Sequence, residues 1–337
     1  MALNRREFLK ISAGSGILLA SDLSPSLASE PKSLPPEAVG ILYDATLCIG
    51  CKSCMVNCKK YNSMPKGALE QEYGEIPYEY QSDLQIYDAP IDLSAKTLNI
   101  IKTYTNGTGL NKDQEIDGFS FVKQHCLHCV DPACVSVCPV AALFKNPVNG
   151  IVGYDKDKCI GCRYCQVACP FQIPKFEFES ANPKIVKCQL CRHRYAEGKY
   201  AACCEFCPTG ASIFGKVTEL KAEAANRLAA QPGTEYAYPV KTVDSAEKSV
   251  RKVSGYVDHV YGLTEAGGTQ YMLMSGVPFA NLGFNPAIND QAYPDITWSY
   301  IKKVPVLIVA LLTAGTVIHL KTKNRKEKST KGESGQE

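Results

Sequence analysis

The sequence predicts an α+β fold in which a small cysteine-loop unit is duplicated in tandem, carries insertions and is followed by an apolar transmembrane helix. Three observations predict it. Sixteen of the seventeen cysteines fall into four groups of four, the residues around two of these groups repeat, and 304–320 runs without a charge.

The cysteine spacing comes first because it fixes the chemistry. Cys48, Cys51, Cys54 and Cys58 follow C-x2-C-x2-C-x3-C, and Cys159, Cys162, Cys165 and Cys169 repeat it before Pro170. Cys126, Cys129, Cys134 and Cys138 give the same pattern with two extra residues in the middle, before Pro139. Cys188 and Cys191 are followed after a gap by Cys203 and Cys207, before Pro208. This is the spacing of bacterial ferredoxins, in which the fourth cysteine serves a different cluster from the first three. A cubane needs one terminal thiolate per iron, and a tight loop can wrap three corners while its N–H groups point at the sulfides. The fourth cysteine, one helical turn beyond, points the other way. Proline can then begin a new segment, since no N–H is needed there.

Zinc and disulfides compete poorly with this reading. Structural zinc takes two C-x2-C pairs separated by a longer loop, not four cysteines within eleven residues. Cysteines three apart in one loop pair badly, and an odd total leaves one over. Sixteen thiolates suit four [4Fe-4S] clusters. Cys203 keeps the separation from Cys207 found before every other fourth ligand, which makes Cys204 the spare.

A repeat underlies the cysteines. Tyr43-Asp44 precedes Cys48-Ile49-Gly50-Cys51 as Tyr154-Asp155 precedes Cys159-Ile160-Gly161-Cys162, and Cys138-Pro139-Val140-Ala141-Ala142 echoes Cys207-Pro208-Thr209-Gly210-Ala211. Two ferredoxin-like units are fused, so 29–216 is read as one four-cluster ferredoxin-like domain. The apolar runs 40–42 and 151–152 lead into cysteine loops as strands of a small hairpin would. Segment 59–120, with its turn-rich Asn106-Gly107-Thr108-Gly109, reads as an insertion or loop. After the last cysteine, 217–230 has helical composition and is followed by an apolar run at 271–274. The whole of 217–300 is expected to lie against partner subunits.

The ends of the chain suggest a location. Arg5 and Arg6 precede the apolar stretch 11–20, and Ser26-Leu27-Ala28 offers a small-x-small cleavage site, so 1–28 reads as a twin-arginine export signal. Such a route suits cargo whose clusters are built before the membrane is crossed. At the other end, 304–320 has the length of a short spanning helix, with Trp298 and Tyr300 near its entry. Lys302 and Lys303 precede it, while 321–337 forms a basic tail holding Lys321, Lys323, Arg325, Lys326, Lys328 and Lys331. The heavier basic side is expected in the cytoplasm, leaving the cysteine domain on the periplasmic side. His319 reads as an interfacial residue of this helix.

Charge excludes one class of partner. Of 37 basic and 34 acidic residues, the signal holds three and two and 301–337 holds eight and three. The remainder has 26 basic and 29 acidic residues, and each oxidised cubane with its thiolates adds about −2. An anionic domain is a poor nucleic-acid binder. Lys52, Lys59, Lys60, Lys123, Arg163, Lys187 and Arg192 lie beside cysteines and are available to offset cluster charge. No nucleotide loop, serine triad or paired-carboxylate site appears, and His125 and His128 add nothing to a group whose four cysteines are complete.

The order of the four groups, with the tails Cys138-Pro139-Val140-Ala141-Ala142-Leu143 and Cys207-Pro208-Thr209-Gly210-Ala211, resembles the iron–sulfur subunits of the dimethyl-sulfoxide-reductase type. The runs Gly107-Thr108-Gly109-Leu110-Asn111-Lys112-Asp113-Gln114-Glu115, His128-Cys129-Val130-Asp131-Pro132 and Gly267-Gly268-Thr269-Gln270 resemble, more closely, the membrane-anchored ferredoxin-like subunit of the hydrogenase-2 type, over nearly the whole chain. That resemblance implies an electron-transfer subunit, not itself an enzyme, between a periplasmic [NiFe] hydrogenase of large and small subunits and an integral membrane quinone-reacting subunit. It also implies a wiring: Cys48, Cys51 and Cys54 with Cys207; Cys188, Cys191 and Cys203 with Cys58; Cys126, Cys129 and Cys134 with Cys169; Cys159, Cys162 and Cys165 with Cys138. Some relatives replace one cysteine with tryptophan, but here every position is cysteine. The alternative is the same kind of subunit serving a formate dehydrogenase or a nitrite- or sulfur-compound reductase.

Overall fold

The computed structural model describes residues 32–62, 92–178, 180 and 183–333, so the export signal and the middle of the 59–120 segment lie outside the described residues. Its strands are β1 (Val39–Asp44), β2 (Ile100–Thr105), β3 (Asn111–Lys112), β4 (Gly118–Gln124), β5 (Leu143–Lys145), β6 (Val152–Tyr154), β7 (Lys175–Phe176), β8 (Ile185–Val186), β9 (Ser212–Lys216), β10 (Glu235–Pro239), β11 (Lys248–Lys252) and β12 (Tyr271–Met274). Short helices alternate with them, as expected of an α+β ferredoxin-like chain. Residues Lys32–Pro294 form one compact unit.

The central strand of that unit is β1. Every residue of its VGILYD run is buried, as a strand covered on both faces requires. It pairs in parallel with β12, Ile41 opposite Tyr271, and antiparallel with β9, Ile41 opposite Phe214. The expected local hairpin at 40–42 therefore does not form. The chain turns from Leu47 straight into the cysteine loop and leaves no room for a return strand, so both partners come from beyond Cys207. The second repeat does make its hairpin, with β5 antiparallel to β6.

Two segments differ from the sequence expectation. Part of the presumed loop 59–120 folds as a three-stranded sheet, β2–β4–β3, with Ile100, Ile101 and Val122 in the main core. Lys102 and Thr103 interrupt its apolar alternation, which hides the strand in the sequence. The extension after residue 216 is not set apart either. Val217, Leu220, Ala224 and Arg227 form the buried face of the helix Val217–Ala229 at i, i+3 and i+4 steps, and the first three pack with Leu42, Ile213, Met272 and Met274. Alanine and charge dominate that helix, so its narrow core stripe is easily read as surface.

A buried polar knot ties this helix to the entrance of the first cysteine loop. Asp44 Oδ1 accepts from Thr46 N (3.0 Å) and Thr46 Oγ1 (2.6 Å), while Oδ2 accepts from Tyr256 Oη (2.8 Å) and Arg227 Nη1 (3.0 Å). Arg227 Nε donates to Glu223 at 2.8 Å, and its guanidinium lies over the Tyr238 ring. Both Asp44 and Arg227 are fully buried, a placement tolerable only when charges are paired and hydrogen-bonded.

The second compact unit includes residues 295–333. Helix Tyr293–Ile301 is followed by Val304–Glu333, so the helix continues into the basic stretch instead of ending at Leu320. Tyr293–Leu320 is long and apolar enough to cross a membrane, and its apolar window is wholly unburied.

Candidate metal centres

The cysteine loops owe their shape to left-handed backbone at matching positions. Gly50 and Gly161, each just before the second cysteine of its loop, both have φ +70°, and each donates its N–H to the first cysteine's sulfur, Cys48 or Cys159, at 3.5 Å. Leu190 takes the same role, with φ +50° and its N–H 3.3 Å from Cys188 Sγ. In the remaining loop the equivalent position is His128, at φ +53°. The helices Ser53–Tyr61 and Tyr164–Ala168 then start from Lys52 and Arg163, also left-handed. Successive turned N–H groups of this kind make an anion-binding concavity.

The folding chain brings the cysteines into four neighbourhoods. Cys48, Cys51, Cys54 and Cys207 line one cavity. Cys138, Cys159, Cys162 and Cys165 line a second of the same form. Cys58 lies among Cys188, Cys203 and Cys191, whose charges all act on it, and Asn62 Nδ2 stands 3.7 Å from both Cys58 Sγ and Cys191 Sγ. Cys129 lies among Cys169, Cys126 and Cys134. Each neighbourhood combines three cysteines of one loop, or two plus one, with a distant fourth.

The neighbourhoods also form a row. Cys203 of the second set acts on Cys54 of the first, Cys126 of the third acts on Cys188 of the second, and Cys165 of the fourth acts on Cys134 of the third. At the two ends, Cys51 and Cys162 are exposed. Interior thiols are held up by burial: Cys54 and Cys134 at about 12, Cys169 at about 11. Thiols so raised stay protonated until metal displaces the proton, so cluster binding and ionisation are one event. Cys203 goes the other way, down to about 5, through its contact with the Cys204 thiol and then the charge of Lys123.

The donor set fits cages of several irons. Neither cysteine-lined cavity contains a carboxylate or an imidazole. Among the described residues no three His, Cys, Asp or Glu side chains converge closely enough for a single metal ion. Of the seven basic residues beside the cysteines, Lys59, Lys123 and Lys187 are buried. Lys187 Nζ donates to the carbonyls of Val152 (2.6 Å) and Cys188 (3.0 Å), and Lys145 Nζ to that of Cys129 (2.7 Å). The burial of Lys123 and Lys187, and the part of Lys145, have no signature in the sequence.

Known proteins with this arrangement can now be compared. The 4Fe-4S dicluster domain family matches residues 118–217, which hold the last three cysteine groups. The hydrogenase-2 operon protein HybA of Escherichia coli O157:H7 is 44% identical over 295 residues, 86% of this chain and 85% of the relative. The chain belongs to the HybA family. Further iron–sulfur relatives match less of it: a formate dehydrogenase iron-sulfur subunit of Haemophilus influenzae is 34% identical over 66% of this chain and 63% of its own length. The formate dehydrogenase-O iron-sulfur subunit of Escherichia coli K12 is 35% identical over 57% of this chain and 58% of its own length. Like HybA, the chain is a ferredoxin-like 4Fe-4S protein that transfers electrons and is not itself catalytic. It carries one apolar C-terminal helix suited to a membrane span.

Proposed function

We propose that this HybA-family chain relays electrons through four [4Fe-4S] clusters between a periplasmic [NiFe] hydrogenase and an integral membrane quinone-reacting subunit. The observation that carries it is the row of four cysteine neighbourhoods in a chain 44% identical to a hydrogenase-2 operon protein. Clusters bound there supply one-electron transfer, with potentials tuned by nearby charge, hydrogen bonds to sulfur and solvent exposure. The sixteen ligands are Cys48, Cys51, Cys54 and Cys207; Cys58, Cys188, Cys191 and Cys203; Cys126, Cys129, Cys134 and Cys169; and Cys138, Cys159, Cys162 and Cys165. The chain's own contribution is to hold these sets side by side, to keep water from the two interior ones and to leave Cys51 and Cys162 reachable at the ends.

Localisation and domains follow the same reading. Arg5 and Arg6 direct export of the folded domain, 29–216 carries the clusters, 217–300 adds surface for partners, 304–320 anchors the chain, and the basic residues from 321 onward face the cytoplasm. The decisive experiment isolates the native membrane complex and identifies its largest subunit while counting iron. A nickel–iron hydrogenase and about sixteen irons per chain are expected. A molybdenum-type catalytic subunit in its place moves the chain to the formate dehydrogenase class, and zinc in place of iron sinks the cluster reading.

A further inference from the structure

We propose that Lys123 sets the reduction potentials of the two clusters between which it lies, raising above all that of the cluster held by Cys58, Cys188, Cys191 and Cys203. The inference rests on the ligand reading just given. Lys123 is the penultimate residue of β4 and its side chain is fully buried. Among the described residues no carboxylate pairs with it, although a buried ammonium persists only with strong partners. The hydrogen-bond partner of Lys123 is Ser212 Oγ at 3.1 Å, on a residue that lines the cavity of Cys48, Cys51, Cys54 and Cys207, and the sulfur of Cys203 interacts with its charge. Its charge also acts on Cys54 in the first set and on Cys58 in the second. Tyr271 Oη, donating to the Lys123 carbonyl at 3.1 Å, holds the backbone of this residue against β12.

Lys187 supplies the contrast. Its donors go to two backbone carbonyls, whereas the charge of Lys123 acts foremost on a ligand sulfur. One-electron reduction adds a negative charge to a cluster, so a cation fixed beside it in surroundings of low dielectric favours the reduced state and raises the potential. Burial keeps this effect from being screened by salt. The Lys123 charge interacts more strongly with Cys203 than with Cys54, so the second cluster feels it more than the first.

The test uses the full chain loaded with its clusters, with iron and sulfide counted before each cluster is titrated potentiometrically by electron paramagnetic resonance. Lys123→Met is expected to keep its iron and to lower the potentials of both neighbouring clusters, most of all that of the cluster held by Cys58, Cys188, Cys191 and Cys203. The expected size there is a tenfold or larger change in the oxidised-to-reduced ratio at fixed potential, about 59 mV for one electron. Lys123→Arg is expected to restore most of the loss, and the Cys138, Cys159, Cys162 and Cys165 cluster to stay put. Unchanged potentials at full iron content overturn the proposal and leave the ligand reading standing. A wild-type chain without about sixteen irons overturns the ligand reading itself. Should Lys123→Met lose iron, wild-type protein labelled with 15N at lysine Nζ decides: a weak nitrogen coupling to a reduced cluster, lost in Lys123→Arg, is expected, and its absence overturns the proposal.

Discussion

Cys203 and Cys204 are adjacent in the chain and opposite in character. Cys204 is completely buried, and burial pushes its thiol well up, while Cys203 shares a neighbourhood with Cys58 and Cys191 and is drawn down by the nearby Cys204 thiol and the charge of Lys123. Cys204→Ser is therefore expected to retain full iron and sulfide, and Cys203→Ser to lose or convert one cluster, as iron analysis and the cluster spectrum of the purified holo-protein will report. The reverse outcome would reassign the fourth corner. Spacing alone singles out Cys203 over Cys204, because distance along a helix is written in the sequence. Environment is not written there. Asp44 and Asp155 stand at equivalent places in the repeat, yet Asp44 is sealed against Arg227, while Asp155 is one-third exposed, pairs with Lys158 at 3.2 Å and accepts from Asp157 N at 3.1 Å. The difference comes from a helix and a tyrosine supplied by residues 217–256, far beyond the repeat.

At the scale of elements, β1 passes the turn before β12 at very close range. Ile41 N donates to Gln270 O at 2.9 Å, and Gln270 Nε2 donates to Val39 O at 2.6 Å. A methyl group on Gly40 would lie 2.1 Å from the Gln270 carbonyl oxygen, so only glycine fits without moving backbone. Gly40→Ala is expected to cost about 1–3 kcal/mol, read as a lowered denaturation midpoint of the cluster-loaded protein. A midpoint equal to wild type would mean that β12 sits farther from β1 than described. A local hairpin such as β5–β6 is readable from sequence, and so is the helical character of Val217–Ala229, though not the narrow stripe it buries. The sheet β2–β4–β3 is not, since its strands mix Lys and Thr with their apolar residues and depend on β4 being gripped by Tyr43 and Tyr271, whose hydroxyls donate to Phe121 O and Lys123 O.

For the whole molecule, cofactor and anchor belong to different parts of the chain. Every cysteine lies within Lys32–Pro294, and the apolar helix begins beyond it. Ending the chain after Tyr300 is expected to leave iron content and hydrogen-dependent reduction of a soluble dye unchanged in the associated complex, while hydrogen-dependent reduction of quinone falls sharply. Quinone reduction at the full rate would show that docking to a partner, not the helix, positions the subunit.

The long-range pairing of β1 also dictates a timetable. Its neighbours are Ser212–Lys216 and Tyr271–Met274, and the thiol that completes the cavity of Cys48, Cys51 and Cys54 is Cys207. While the ribosome is still making the middle of the chain, the first cysteine loop has three corners and no sheet to rest on. Such distant closures are slow, because a large loop must be ordered before any contact rewards it. The N-terminal cysteine loop is thus among the last to be finished, and with the proposed ligand set iron delivery there has to wait for a nearly complete polypeptide.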